Sequence, residues 1–100
     1  MTDGSTPLEW LQQWYLAQCD GEWEHHEGVT IESLDNPGWR IRISVRGTPV
    51  EGHPYERTID ERTEQDWIHA WLEGGEWLAG CGPLNLGEVV NLFRTWVEEP

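Results

Sequence analysis

The stretch that decides the fold is residues 39–46, Trp39-Arg40-Ile41-Arg42-Ile43-Ser44-Val45-Arg46. Its apolar and polar side chains alternate with a period of two, which is typical of a β-strand that buries one face. A shift of one residue would turn its three arginines towards the core, so the alternation also fixes the register of the strand. We therefore expect a half-buried strand here, in a sheet that is covered on one face.

Strand patterns occur on both sides of this stretch. Before it, Val29 and Ile31 alternate with polar residues and are followed by the turn signal Asp35-Asn36-Pro37-Gly38. After it, the alternation predicts a third strand around residues 55–59, a fourth over residues 66–72 and a short fifth over residues 77–81. The Gly-Gly pair between the last two strands predicts a hairpin turn.

Helix signals stand near both ends of the chain. Thr6 and Glu9 form a capping box around a proline at the first helical position, and this helix should end near Asp20-Gly21. Asn85 is predicted to cap a last helix, with Glu88 three positions further on.

These patterns predict an α+β fold. We expect an N-terminal helix, a meandering antiparallel sheet of four to five strands and a C-terminal helix, with both helices packed on one face of the sheet. The length of 100 residues predicts one domain over residues 1–100, with a core from about residue 7 to about residue 97. Eight tryptophans supply much of that core, because each aromatic side chain buries a large area.

The charge of the chain is strongly negative. Nineteen acids face six arginines, lysine is absent, and the formal net charge is −13. A nucleic acid or an anionic membrane surface would be repelled, whereas a basic protein is the natural partner. The alternative is that the charge serves solubility alone. The sequence shows no signal-peptide pattern and no apolar run long enough to span a bilayer, so we expect a cytoplasmic protein with reduced cysteines.

Residues 18–25, Gln-Cys-Asp-Gly-Glu-Trp-Glu-His, are the main candidate for a functional site. They could bind a metal ion, but paired CxxC or HxxxH spacings are missing, and Cys81 and His69 would complete a site only if the fold brought them close. Catalysis by Cys19 and His25 is disfavoured because the surrounding acids would raise the pKa of the thiol. We therefore expect no metal, no cofactor and no enzymatic activity.

Two further features leave alternatives open. Half of the six arginines, Arg40, Arg42 and Arg46, are expected on one face of one strand. They either pair with acids such as Glu32 across the strands or recognise a partner. Several tryptophans next to acids would also suit a carbohydrate- or small-ligand-binding module. In the fourth strand, Trp67, His69 and Trp71 share one face.

Several of these motifs together resemble the bacterial immunity protein 53 family. The resemblance runs from about Leu8 to Trp96, and its most specific parts are the 18–25 stretch and the Asn36-Pro37-Gly38-Trp39 turn. Further matches are Trp14-Tyr15, Gly28-Val29-Thr30-Ile31, Gly47-Thr48, Asp66-Trp67 and Gly82-Pro83-Leu84-Asn85-Leu86. The resemblance implies a small α+β protein that binds a polymorphic toxin and blocks it in the producing cell; it implies no catalytic residues.

On this hypothesis the acidic stretch contacts the toxin. The predicted partner-binding residues are Asp20, Glu22, Trp23, Glu24 and His25, with Trp23 as the apolar anchor and the acids as a steering rim. The partner would have a basic surface, and a nuclease fits because its substrate groove must be positive. The structural alternative is that Asp20-Gly21 ends the first helix and that Trp23 covers the sheet edge.

Overall fold

The computed structural model describes residues 4–99 and confirms the α+β fold. Its elements are α1 (Pro7–Gln18), α2 (Trp23–His26), β1 (Val29–Leu34), β2 (Gly38–Ser44), β3 (Thr58–Thr63), β4 (Asp66–Glu73), β5 (Glu76–Cys81) and α3 (Leu86–Glu98). Among these helices there is none with the length and apolar character needed to cross a membrane.

The five strands form one antiparallel sheet in the order β1-β2-β5-β4-β3. The order departs from a simple meander after β2, because β5 returns to pair with β2 and β3 lies at the far edge. Residues 45–57 connect β2 to β3, which lies at the opposite edge of the sheet. The predicted third strand began at Tyr55, but β3 begins at Thr58 because Tyr55 packs its ring edge-on to Trp77 and Trp96, at 5.9 and 5.5 Å between ring centroids.

The two helix starts use their polar residues differently. The capping box of α1 is confirmed: Thr6 Oγ1 accepts the N–H of Glu9 at 3.2 Å, and Glu9 Oε1 accepts the N–H of Thr6 at 2.9 Å. Asn85 precedes α3, but its side chain does not cap the helix. Its Oδ1 accepts the N–H of Trp67 and its Nδ2 donates to Asp66, so it ties the start of α3 to β4 instead.

Phe93, the single phenylalanine of the chain, is fully buried between the helices and the sheet. Its ring lies 4.9 Å from that of Trp14, 5.2 Å from that of Trp77 and 6.0 Å from those of both Trp10 and Trp96. These are tilted or edge-on contacts, the arrangement that aromatic rings favour. The Phe93 side chain thus connects α3 to both α1 and β5.

The sheet has one covered and one uncovered face. Ile41 and Ile43 of β2 pair with Ala79 and Trp77 of β5, and these buried side chains point towards the helices. The alternate positions form the uncovered face, which carries Trp67, His69 and Trp71, as predicted, together with Arg40 and Arg42. The Trp67 ring lies against Gly80 on this face.

We expect Phe93→Ala to be severely destabilising. The cavity would remove contacts to four tryptophans, and a loss of about 3–5 kcal/mol in the free energy of unfolding is typical of such a truncation. Phe93→Leu keeps most of the volume and should cost clearly less. Urea unfolding followed by tryptophan fluorescence measures both; equal stability of Phe93→Ala and the wild type would show that this ring is not central to the core.

Candidate functional site

The acidic segment 20–27, called the acidic turn below, lies between α1 and β1 and includes the one-turn helix α2. Gly21 has φ = +96°, a conformation that favours glycine, and it lets the chain reverse after α1. Asp20 Oδ1 accepts the N–H groups of Glu22 and Trp23, both at 2.9 Å. The Glu24 carboxylate reaches back and accepts the N–H groups of Asp20 and Gly21 at 3.0–3.2 Å. Two carboxylates therefore satisfy four backbone donors within five residues.

These hydrogen bonds lower the pKa of both acids. The pKa of Asp20 lies below its usual value because Trp23 and Glu22 donate backbone N–H groups to the carboxylate. Backbone N–H donors, first that of Glu24 itself and then those of Asp20 and Gly21, likewise lower the pKa of Glu24. Nearby, Glu27 accepts from Ser44 Oγ at 2.6 Å and pairs with Arg46, which lowers the pKa of Glu27.

Trp23 is part of the core. It is 8% exposed, its Nε1 donates to the carbonyl of Arg46 at 2.8 Å, and its ring packs edge-on against Trp14 and Tyr15. The contact with Arg46 joins the acidic turn to the end of β2. The indole therefore packs against the end of α1 and against the segment that follows β2, which accounts for its burial.

The turn brings all five predicted partner-binding residues together, but it gives them different positions. Glu22 and His25 are exposed to solvent, whereas Glu24 is half-buried and Trp23 is buried. Asp20 is exposed but is held by the hydrogen bonds of the turn. Glu22 and His25 are thus the side chains of this set that are most available to a partner.

The cysteines and histidines do not form a shared site. Cys19 donates its thiol to the carbonyl of Tyr15 at 3.3 Å, as a cap on the last turn of α1. Cys81 is buried, and burial raises the pKa of its thiol to about 11. Cys81 pairs with Ile68 on the helix-covered face, so the neighbouring His69 points to the opposite face. Over residues 4–99, no group of three or more His, Cys, Asp or Glu side chains is placed to hold a metal ion.

The three arginines of the opening stretch each meet an acid. Arg40 lies 3.7 Å from Glu32, as the pairing interpretation expected, and Arg42 lies 3.4 Å from Glu76. Arg46 lies 3.1 Å from Glu27, but it follows the end of β2 at Ser44 and is not on the strand face. Exposed pairs of this kind contribute little stability, and they neutralise arginines that recognition of an acidic partner would need.

An arginine outside that stretch organises a second network that the sequence did not predict. Arg62 Nη2 lies 2.7 Å from Asp66 Oδ1 and 3.0 Å from Glu88 Oε1, which joins the β3–β4 hairpin to the first turn of α3. Hydrogen bonds from Arg62 lower the pKa of Glu88, and hydrogen bonds from Asn85 and then Arg62 lower the pKa of Asp66. Asp66 lies only four residues after Arg62, but Glu88 is far from both in the chain, so spacing carries no signal for the contact with α3.

A groove between α1 and β1 is the other feature that the sequence did not predict. It measures about 460 Å³ and is mainly apolar. Its walls are Leu8, Leu11, Gln12 and Tyr15 of α1 and Val29 and Ile31 of β1, with Glu27 and Gly28 at one end. The wide apolar face of α1 is the sequence feature that could have indicated the groove. Since α3 covers only part of that face, Leu8 remains 47% exposed and Tyr15 38% exposed.

Comparison with known proteins gives one finding. The family model described as Immunity protein 53 matches residues 8–98, nearly the whole chain. Neither a curated protein nor a solved structure matches the chain.

We expect Trp23→Ala to unfold the acidic turn and to lower global stability by about 3–5 kcal/mol, because a buried indole is removed. Trp23→Phe keeps an aromatic ring but loses the hydrogen bond to the Arg46 carbonyl, so it should be less costly. Thermal unfolding by circular dichroism distinguishes these outcomes. The matched control is Glu22→Ala in the same turn, which should melt like the wild type; an equally stable Trp23→Ala would show that the packing is dispensable.

Acid should weaken the turn. Because the folded-state pKa values of Asp20 and Glu24 lie below their usual values, both carboxylates stabilise the fold above about pH 4, and this contribution is lost as the pH falls through the folded-state values. Asp20→Asn should therefore flatten the acid side of the stability–pH profile, measured as melting temperature. Glu22→Gln, an exposed acid of the same turn, is the control; identical profiles for Asp20→Asn and the wild type would contradict the assignment.

Proposed function

The chain belongs to the immunity protein 53 family, and on that premise we propose that it neutralises a cognate bacterial toxin by binding it one to one in the cytoplasm of the producing cell. The match over residues 8–98 is the observation that carries the proposal. Inhibition of this kind is stoichiometric: it involves no turnover and needs no metal or organic cofactor.

The proposed contact surface includes the acidic turn, with Asp20, Glu22, Trp23, Glu24 and His25. Glu22 and His25 would face the toxin directly. Asp20 and Glu24 would hold the backbone in place through their hydrogen bonds, and Trp23 would fix the turn to the core from below. A turn whose shape is set before binding loses little conformational entropy on association, which supports tight binding.

The proposed toxin has a basic surface. The net charge of −13 accelerates encounter with a positive partner and opposes association with nucleic acid or another acidic protein. A nuclease is the toxin class that fits best, because its substrate groove must be positive to hold phosphates and would accept an acidic protein in their place.

Carbohydrate binding is the second candidate, and one observation favours it. Trp67 and Trp71 stand on the uncovered face of β4, where aromatic rings are accessible to a sugar. Five of the eight tryptophans are buried, however, so this face is the only part of the tryptophan set that suits such a ligand among residues 4–99. A glycan array with the purified protein tests this candidate directly.

The immunity role is tested by co-expressing the chain with the toxin-like reading frame beside its gene. We expect growth to be rescued and a 1:1 complex to be recovered by pull-down through a tag on the chain. The control is the same toxin frame expressed without the chain. Absence of both rescue and complex would refute the proposed function.

We expect Glu22→Lys to slow association with the toxin and to weaken its dependence on salt, with a smaller effect on dissociation. The matched control is Glu64→Lys, which makes the same charge change in the exposed β3–β4 turn. Stopped-flow or surface-binding kinetics at two salt concentrations measure both variants. An equal effect of the two substitutions would show that only the overall charge matters and that the acidic turn is not at the interface.

A further inference from the structure

We infer that the free edge of β1 and the apolar groove beside it bind an extended segment of the toxin, which adds to the sheet as a sixth strand. This inference rests on the proposed function and adds to it the place and the mode of binding. Addition of a strand to a sheet edge takes its affinity from backbone hydrogen bonds and its specificity from pockets for alternate side chains.

The backbone of β1 presents unused hydrogen-bonding groups. Within the described residues, β1 lies at one edge of the sheet and pairs with β2 alone. The N–H of Ser44 donates to the carbonyl of Gly28, directly opposite it in the antiparallel register. Because bonded and non-bonded pairs alternate in such a ladder, the N–H and C=O groups of Val29, Ile31 and Ser33 point away from β2, towards the free edge.

The two edges of the sheet differ in how they are protected. β3, at the other edge, carries the consecutive charges Asp60, Glu61 and Arg62, and its register shifts between Glu61 and Thr63. Charges and bulges of this kind discourage another strand from pairing. β1 has an unbroken register and a single charged residue, Glu32, so it is the edge that remains open to pairing.

The groove supplies the pockets. Val29 and Ile31 share the helix side of β1, and α1 lies opposite with Leu8, Leu11 and Tyr15. Ile31 is 37% exposed, so apolar surface remains to be covered on both walls. A segment paired along β1 would place every second side chain in this groove, and apolar side chains fit it.

Charge identifies the partner. The first 39 residues contain eight acids and neither lysine nor arginine, so the groove lies in the most acidic third of the chain. The acidic turn leads into the groove, whose wall includes Glu27, the partner of Arg46. A segment with apolar alternate residues and flanking basic residues complements this surface, whereas a second copy of the chain would bring two acidic edges together.

The first test blocks the edge without removing a hydrogen bond of the sheet. Ser33→Pro replaces an outward-pointing N–H by the proline ring, which edge strands tolerate. We expect its affinity for the purified toxin to fall by about tenfold or more, as for the loss of a central contact, while the melting temperature stays near that of the wild type. Ser33→Ala, the matched control, should bind like the wild type.

The second test changes the groove and does not depend on how Ser33→Pro folds. Ile31→Glu places a charge in the groove and should weaken toxin binding strongly, whereas Ile59→Glu makes the same change on the opposite edge and should not. Amide hydrogen exchange of the wild-type complex should show new protection at residues 31 and 33. Calorimetric titration of the toxin into each variant gives the affinities.

The outcomes separate this inference from the proposed function. If the wild type rescues growth and both Ser33→Pro and Ile31→Glu bind the toxin with wild-type affinity, the groove is not the interface although the immunity role holds. If the wild-type protein forms a dimer in the absence of toxin and Ser33→Pro abolishes that dimer, the β1 edge pairs with a second copy and the inference is wrong. If the wild type neither binds nor rescues, the proposed function fails and this inference fails with it.

Discussion

The contact of the Phe93 ring with four indoles is the interaction on which the rest of this structure depends. A chain of 100 residues has few buried positions, and here aromatic rings from α1, β5 and α3 meet at one of them. Because large flat rings fill space efficiently in edge-on contacts, this small core can hold both helices against the sheet. The same cluster extends through Trp14 to Trp23, so the position of the acidic turn is set by the core.

The acids of the chain serve two purposes that local geometry separates. Asp20 and Glu24 turn inward on their own backbone and replace the hydrogen bonds that a longer helix would have made. Asp66 and Glu88 are held by Arg62 and join the hairpin to α3. The remaining exposed acids keep the surface negative, and Glu22 stands among them at the tip of an ordered turn. A strongly charged surface on a rigid frame is suited to fast and specific association with a basic protein.

The placement of α1 gives the proposed binding surface its shape. This helix packs mainly on α3 and leaves a gap above β1, the least protected edge of the sheet. The groove and the acidic turn are continuous, because the chain passes from α1 through the turn into β1. One short part of the sequence therefore combines an apolar groove, an open strand edge and several acids, and the proposed binding of an extended toxin segment rests on this combination.

The sequence by itself determined the local elements and the charge. The capping box at Thr6, the alternation of β2, the hairpin at Gly74 and Gly75 and the acidic balance all depend on neighbouring residues, so they are visible in the chain. It also singled out Asp20, Glu22, Trp23, Glu24 and His25 as partner-binding residues, which stays a prediction. Only the tertiary structure decided that Trp23 is buried, that Asn85 binds the β4 backbone and that β5 lies beside β2. Those outcomes depend on which surfaces meet in three dimensions, and residues far apart in the chain leave no spacing pattern for such contacts.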